Sequence, residues 1–327
     1  MSLQTIEKKP LLEIKSLKKY YPIKTALGRT TDYVQAVNDV SFQLYEGETY
    51  GLVGESGCGK STIGRTLIRL QQPTEGEAIF NNIDIFKLSE KDFVKVRKEF
   101  QMVFQDPFSS LNPRQRIGQA LEEPLVIHKI GPKQKRTELV MDILQKVGLS
   151  TDHYYRYPHE FSGGQRQRIG IARALILKPK VIICDEPVSA LDVSIQSQII
   201  NLMQKLQKEY KLTYLFIAHD ISVVRHISDR IGVMYLGKLV EEGSTDQIIS
   251  DPLHPYTQAL LSAVPLPNPK LKKERIILKG DIPSPIHPPS GCFFHTRCPM
   301  ATDLCKKEVP QRKQMKNDHF VSCHLYT

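Results

Sequence analysis

Short, nearly continuous apolar runs alternate along the chain with longer segments whose apolar residues recur at helical spacing. The runs TYGLV (Thr49–Val53), VIICD (Val181–Asp185) and YLFIAHD (Tyr214–Asp220) are typical of strands buried on both faces of a parallel sheet. The helical spacing is found at Ile195, Ile199, Leu202 and Leu206, and again at Leu139, Ile143 and Val147. The pattern predicts an α/β fold in which helices separate parallel strands.

The two ends of the chain have a different pattern. Residues 11–24 and 33–48 alternate partially between apolar and polar positions around a polar loop at Gly28–Asp32, which predicts a small antiparallel sheet. From about Asp251 onward, frequent prolines interrupt any long element. We therefore predict one domain over residues 1–245 and a small Pro/Cys-rich domain over residues 246–327.

Composition and charge narrow the class of protein. Hydrophobic residues make up 40% of the 327 residues, and no apolar run approaches the ~18 residues of a membrane-spanning helix. The first residues lack the apolar core of a secretory signal, so we expect a cytoplasmic protein. The net charge is +10, and residues 266–327 contribute 11 Lys/Arg against 5 Asp/Glu. This excess is compatible with nucleic acid, an acidic partner or an anionic membrane surface.

The stretch GESGCGKST follows the first apolar run and has the spacing of a phosphate-binding P-loop. Its glycines allow successive backbone N–H groups to point inward, and the following helix adds its positive end to the same concavity. Lys60 would bind the terminal phosphates, and the Ser61 hydroxyl would be a ligand of Mg²⁺. The predicted cofactor-binding residues are Gly54, Glu55, Ser56, Gly57, Cys58, Gly59, Lys60, Ser61 and Thr62.

Two carboxylates lie at the end of the second apolar run. Asp185 ends this run and Glu186 comes next, at the edge of the sheet where open α/β folds bind their ligands. We predict that Asp185 holds the hydrated Mg²⁺ and that Glu186 polarises an attacking water as a general base.

A second glycine-rich helix start occurs in FSGGQRQRIGIARAL. Ser162, Gly163, Gly164 and Gln165 open this helix, so free N–H groups and a hydroxyl form another anion site. One nucleotide hardly needs two such sites on one surface. We therefore predict that these four residues complete the nucleotide site of a second, similar chain.

These three stretches together resemble the nucleotide-binding subunits of ATP-binding cassette (ABC) transporters over about the first 245 residues. The resemblance implies two cassettes arranged head to tail, with ATP between the P-loop of one and the SGGQ stretch of the other. It also implies an N-terminal antiparallel β-subdomain beside a RecA-like P-loop core, and a helical subdomain over about residues 106–162.

Further site residues follow from the same resemblance. Tyr21 resembles the aromatic residue that stacks on adenine, with Tyr20 as the alternative. Gln105 resembles the residue that contacts Mg²⁺ and the attacking water, and His219 resembles the switch histidine that orients this water. The stretch ending at Asp192 in SALD resembles the loop that couples the two nucleotide sites.

The tail resembles that of the ATPase subunits of oligopeptide and dipeptide importers, through DPLHPYTQALLSAVP and the segment that follows it. The resemblance implies a peripheral ATPase on the cytoplasmic face of the membrane. Its partners would be a second related ATPase, two permease subunits and an extracytoplasmic substrate-binding protein. Nickel, which importers of the same subfamily carry, is the alternative cargo. A soluble ABC ATPase of DNA repair or translation is the alternative class, but this chain lacks the second cassette or long coiled coil usual there, and we expect no nucleic acid.

Four cysteines lie in this proline-interrupted tail. The tail has little apolar surface to pack, so it needs a cross-link to hold its fold. A reducing cytoplasm disfavours disulfides. Spacing alone leaves Zn²⁺, an iron–sulfur cluster and unligated cysteines open, with His295, His319 and His324 as alternative zinc ligands. The resemblance to peptide-importer tails favours a [4Fe–4S] cluster held by Cys292, Cys298, Cys305 and Cys323.

Overall fold

The computed structural model describes residues 9–106, 110–264 and 274–326. The chain forms two compact units. The first unit contains Met1–Tyr45, Thr49–Phe86 and Ala218–Thr327, and the second contains Glu46–Glu48 and Lys87–Ile217. Residues 107–109 of the predicted helical subdomain lie outside the described residues.

The strands of the described residues are β1 (Leu12–Lys24), β2 (Thr30–Leu44), β3 (Thr49–Val53), β4 (Glu75–Phe80), β5 (Ile83–Asp84), β6 (Phe100–Val103), β7 (Val181–Asp185), β8 (Thr213–Ala218), β9 (Arg230–Tyr235), β10 (Lys238–Ser244), β11 (Lys313–Gln314) and β12 (Phe320–Val321). The helices are α1 (Lys60–Leu67), α2 (Glu90–Arg97), α3 (Ile117–Ile127), α4 (Lys133–Lys146), α5 (Gly163–Leu175), α6 (Val193–Tyr210), α7 (Ile221–Ile227), α8 (Thr245–Ser250), α9 (Pro255–Ser262) and α10 (Asp303–Lys307). None of the helices in the described ranges is long and apolar enough to cross a membrane.

The first unit contains an antiparallel sheet in the order β2-β1-β4-β5, as the partial alternation of the N-terminal segments predicts. A second group of strands in this unit runs β11-β12-β10-β9-β3. Here β3 and β9 are parallel, whereas the other neighbours are antiparallel. Every residue of β3 is buried, so this strand fixes the point at which the glycine-rich stretch begins.

Buried acidic residues of β10 bind the C-terminal region of the first unit. The Glu241 carboxylate accepts hydrogen bonds from the backbone N–H groups of Leu253 (2.7 Å) and His254 (2.9 Å), and it lies 2.8 Å from Nε2 of His319. The neighbouring Glu242 is bound by the guanidinium of Arg312 at 2.5 Å. These contacts, together with β12, attach the proline-rich tail to the edge of β10.

The second unit contains the parallel strands β8-β7-β6. All of β7 is buried, whereas β8 ends at Ala218, so the predicted strand over Tyr214–Asp220 is two residues too long. In α6 the buried residues are Ile199, Ile200, Met203 and Leu206. Ile195 and Leu202 of the predicted stripe are only half-buried.

Candidate functional site

The glycine-rich stretch between β3 and α1 folds into a tight loop that only glycine can occupy at two positions. Gly54 has φ 152° and a Cβ there would lie 2.2 Å from the Met234 carbonyl oxygen. Gly59 has φ 101° and its Cβ would lie 2.0 Å from the Ala36 carbonyl oxygen. Both positions therefore need the conformational freedom of glycine and the space that its missing side chain leaves.

The Lys60 ammonium group lies inside this loop. Lys60 is 4% exposed, and its Nζ donates hydrogen bonds to the carbonyl oxygens of Gly54 (2.7 Å) and Glu55 (2.9 Å). The Cys58 thiol, 3.6 Å from the same Nζ, is buried, and burial raises its pKa. The loop therefore holds a positive charge beside the start of α1, where Ser61 and Thr62 follow, and this arrangement suits a phosphate group.

The loop also contacts two residues that sequence reasoning missed. The Glu55 backbone N–H donates to the Tyr256 hydroxyl at 2.9 Å, and the Glu55 carboxylate accepts two hydrogen bonds from Arg297, at 2.7 and 3.1 Å. Arg297 stands 242 positions from Glu55 in the chain, and no local pattern links them. Ser56 and Gly57, at the tip of the loop, are exposed.

The two tyrosines considered for adenine lie next to each other on β1. The Tyr21 hydroxyl hydrogen-bonds to Gln71, and the Lys19 ammonium lies 4.8 Å from the centre of the Tyr21 ring. The Tyr20 hydroxyl instead donates to Asn38 Oδ1 at 3.1 Å. Both rings are half-buried, so the choice of Tyr21 stays a prediction.

In the second unit, β7 delivers the two predicted carboxylates. Asp185 is 1% exposed, and Glu186 follows it with φ 48°, a left-handed conformation that costs a non-glycine residue about 1 kcal/mol or more. The backbone N–H of Glu186 donates to the Ile217 carbonyl oxygen at 2.9 Å, and its own carbonyl oxygen accepts from the Ser189 hydroxyl at 3.1 Å. Nε2 of Gln105 donates to the Glu186 carboxylate at 2.8 Å, so these two predicted site residues are brought together.

The start of α5 has the geometry of a capping box. Gln165 N–H donates to the Ser162 hydroxyl at 3.3 Å, and the Gln165 side chain accepts from Ser162 N–H at 3.0 Å. Ser162 and Gly163 are exposed, whereas a Cβ on Gly164 would lie 2.6 Å from Ile195. Because α5 and α6 approach closely here, a residue larger than glycine does not fit at position 164 without a shift of Ile195.

Two further predicted residues lie at the starts of helices. Asp192 is exposed and is the residue before α6, with its carbonyl oxygen accepting from Gln196 N–H at 2.8 Å. His219 is exposed and follows the end of β8, directly before Asp220, which caps α7 by accepting from Ser222 N–H at 2.7 Å.

The four tail cysteines converge in the first unit. Cys292 N–H donates to the Cys305 carbonyl oxygen at 2.8 Å. The pKa of the Cys292 thiol is raised to about 11, first by burial and then by the neighbouring charges of Cys305, Cys323 and Cys298. All four are free thiols, and within residues 9–106, 110–264 and 274–326 no group of three or more His, Cys, Asp or Glu side chains is arranged to hold a metal ion. Cysteine thiols are donors that suit a thiolate-bound metal.

The chain is similar in sequence to known proteins over nearly its whole length. The family model for "ABC transporter" matches residues 37–189, and that for "Oligopeptide/dipeptide transporter, C-terminal region" matches residues 240–305. The oligopeptide transport ATP-binding protein AppF of Bacillus subtilis is 58% identical, and the alignment covers 97% of this chain and 98% of AppF. The dipeptide transport ATP-binding protein DppF of Haemophilus influenzae is 51% identical, with 99% of each chain covered.

Solved structures agree with the predicted fold class. The ATP-binding cassette MJ0796, solved as a dimer in a post-hydrolysis state bound to ADP and Pi, superposes with a TM-score of 0.64 at 30% identity. The match covers 72% of this chain and 98% of MJ0796. CbiO1 of Clostridium perfringens, part of the ABC transporter complex cbiONQ, gives a TM-score of 0.64 at 27% identity, covering 74% of this chain and 91% of CbiO1. The chain therefore belongs to the ABC transporter family of ATPases, in the branch whose members carry the oligopeptide/dipeptide transporter C-terminal region.

Proposed function

We propose that this chain is the ATP-hydrolysing subunit of a transporter that imports oligopeptides or dipeptides. The observation that carries the proposal is the sequence similarity to peptide-transport ATP-binding proteins, which extends over 97% and 99% of the chain and includes the tail. The glycine loop that encloses the Lys60 ammonium supports the ATP-binding half of the proposal.

Different predicted residues bind the phosphates, the Mg²⁺ and the adenine of ATP. Lys60 and the N–H groups from Gly54 to Thr62 bind the phosphates, and Ser61 and Asp185 are ligands of Mg²⁺. Tyr21 stacks on the adenine. ATP bound in this way presents its γ-phosphate to an attacking water, and the positive charges offset the negative charge that develops during transfer.

Glu186 polarises the attacking water. Its hydrogen bond from Gln105 fixes the orientation of the carboxylate, which supports a role for Gln105 beside both the water and Mg²⁺. We assign His219, exposed beyond the end of β8, to orienting the same water by binding the γ-phosphate.

Ser162, Gly163, Gly164 and Gln165 act on the nucleotide of a second cassette, and Asp192 belongs to the loop that couples the two sites. The exposure of Ser162 and Gly163 supports this assignment, because a helix start that serves another chain must be accessible. The second cassette would be a related ATPase subunit, giving a heterodimer.

Two permease subunits and an extracytoplasmic substrate-binding protein would complete the transporter. We place the chain as a peripheral subunit on the cytoplasmic face of the membrane, where its positive charge would face anionic lipid. We also keep residues 1–245 and 246–327 as the functional division of the chain. Cargo recognition would lie outside this subunit.

The experiment that tests the cargo uses cells that lack this chain and are complemented with either the wild type or Lys60→Ala. Uptake of a labelled tripeptide and of radioactive nickel is measured in parallel. We expect wild type alone to restore peptide uptake, with nickel uptake equal in all strains. Restoration of nickel uptake alone would assign the chain to a nickel importer. ATPase activity that nucleic acid stimulates in the absence of membrane partners would favour the DNA-repair or translation class.

We further propose that Cys292, Cys298, Cys305 and Cys323 hold a [4Fe–4S] cluster. The electrostatic interaction of the Cys292 thiol with the other three thiols supports this assignment, and such a cluster would bind all four as thiolates. Protein prepared without oxygen should contain iron and acid-labile sulfide, and Cys298→Ser should lose both. One equivalent of zinc in a colourless anaerobic preparation would contradict the cluster.

A further inference from the structure

Glu55, in the glycine-rich loop, makes contacts through all three of its polar groups. Its N–H donates to Tyr256, its carbonyl oxygen accepts from Lys60, and its carboxylate accepts from Arg297. Two of these partners, Tyr256 and Arg297, belong to the C-terminal region of the first unit. The shape of the loop is therefore connected to residues about 200 or more positions away.

The contact between Arg297 and Glu55 has the features of a strong ion pair. The two nitrogens Nη1 and Nη2 bind the two carboxylate oxygens at 2.7 and 3.1 Å, which fixes the relative orientation of the two planar groups. The Arg297 side chain is 9% exposed and that of Glu55 is 26% exposed. Water therefore screens this pair less than it screens a surface ion pair.

Aromatic packing holds both partners of Glu55 in place. The rings of Tyr235, Tyr256 and Phe294 are almost fully buried, with centroids 4.8 to 5.4 Å apart. The Arg297 guanidinium lies 5.8 Å from the centre of the Tyr235 ring, and the Arg297 backbone N–H donates to the Phe294 carbonyl oxygen at 3.0 Å. Because these rings pack against one another, neither Tyr256 nor Arg297 can follow a movement of Glu55 at low cost.

We propose that Arg297 is a positioning residue of the nucleotide site, which holds the P-loop in its phosphate-binding shape through the ion pair with Glu55. The inference rests on the proposed role of this loop in ATP binding. Arg297 acts through Glu55. If the backbone at Glu55 moved away, the Lys60 ammonium would lose one of the two carbonyl oxygens that hold it in the loop and would keep only that of Gly54.

Titration of the full chain with Mg-ATP tests the pair as a double-mutant cycle. Arg297→Met should weaken ATP binding roughly tenfold, because a charge-assisted bidentate contact is lost. Glu55→Gln should weaken it by a similar factor, and the double variant should bind within about twofold of either single variant because the contact can be lost only once. Arg297→Lys keeps the charge but cannot form the planar pair, so it should resemble Arg297→Met.

Arg312→Met is the matched control. Arg312, in the C-terminal region, also binds a buried glutamate, Glu242 of β10. Its other contacts among the described residues are to Ser41 and Phe320, outside the loop. Its loss should lower the melting temperature and leave ATP affinity unchanged. The proposal would be overturned by additive effects in the cycle, by wild-type affinity of Arg297→Lys, or by equal weakening in Arg312→Met.

Lys60→Ala separates this inference from the function on which it rests. We expect this variant to lose ATP binding. If it does and Arg297→Met binds ATP as the wild type does, the positioning role alone is wrong. If Lys60→Ala itself binds ATP normally, the proposed function of the loop is wrong.

Discussion

Replacement of single loop glycines by alanine should separate backbone strain from steric overlap. Gly57 and Gly59 both have positive φ, at 79° and 101°, so alanine is strained at each. A Cβ on Gly57 would meet no atom within 4 Å, whereas one on Gly59 would lie 2.0 Å from the Ala36 carbonyl oxygen. Gly57→Ala is therefore a control for strain alone.

The magnitudes follow from these two geometries. Strain in a left-handed conformation costs alanine about 1–2 kcal/mol at either position. Ordinary Cβ contacts begin near 3.4 Å, so at Gly59 the loop and the Ala36 backbone must separate by roughly 1.4 Å, and such overpacking adds about 1–3 kcal/mol. Since 1.4 kcal/mol corresponds to about a factor of ten in affinity, Gly57→Ala should weaken ATP binding by about tenfold and Gly59→Ala by roughly thirtyfold or more.

Titration of a fluorescent ATP analogue into each purified full-length variant measures these affinities, and thermal unfolding shows whether each variant is folded. The expected order is wild type, then Gly57→Ala, then Gly59→Ala. Equal affinities of the two variants would refute the reasoning, because they would mean that the collision with Ala36 has no effect on the phosphate-binding shape.

Three other outcomes follow from the structure. Glu186→Gln should keep ATP binding but lower turnover of the assembled transporter by ~10²–10⁴-fold, since the amide cannot accept a proton; near-normal turnover would reject Glu186 as the base. Ser162→Arg should leave ATP binding to the isolated chain almost intact and stop hydrolysis in the complex, whereas lost binding in the isolated chain would contradict its action on a second cassette. Burial lowers the pKa of His254 to about 4, so between pH 6.5 and pH 4 the unfolded chain binds a proton that the folded chain does not. The stability present above pH 6.5 should fall by about 2–3 kcal/mol on acidification to pH 4.5, and by less in His254→Asn. An identical fall in this variant, measured by urea unfolding, would exclude His254 as the cause.

The buried strands were predictable because burial on both faces leaves a continuous apolar run. The bounds of β3 and β7 agree with the runs TYGLV and VIICD to the residue. The run that contains β8 was read two residues too far, since His219 and Asp220 are exposed and Asp220 instead caps α7. A side chain that caps the following helix ends the strand before it, and the spacing of apolar residues does not reveal such a cap.

Residue types at the site could be read from the sequence, but their conformations could not. The P-loop spacing identifies Lys60, yet the direction of its ammonium depends on two carbonyl oxygens whose position the loop fixes. The left-handed backbone of Glu186 is equally unpredictable, because a glutamate adopts it only when surrounding contacts hold it there. Its hydrogen bond from Gln105 joins residues 81 positions apart.

The role of Arg297 required the structure for a stronger reason. In the sequence it is one more positive charge in a basic tail, flanked by cysteines that direct attention to metal binding. Its partner Glu55 is among the predicted cofactor-binding residues, but the P-loop motif itself specifies only glycines, a lysine and a hydroxyl, so it gives the Glu55 side chain no partner. In this chain the Glu55 carboxylate binds Arg297 of the C-terminal region. If Arg297 positions the loop as we propose, a change in residues 292–298 would reach the phosphates through Arg297 and Glu55. The tail would then belong to the ATP-binding machinery and not only to its periphery.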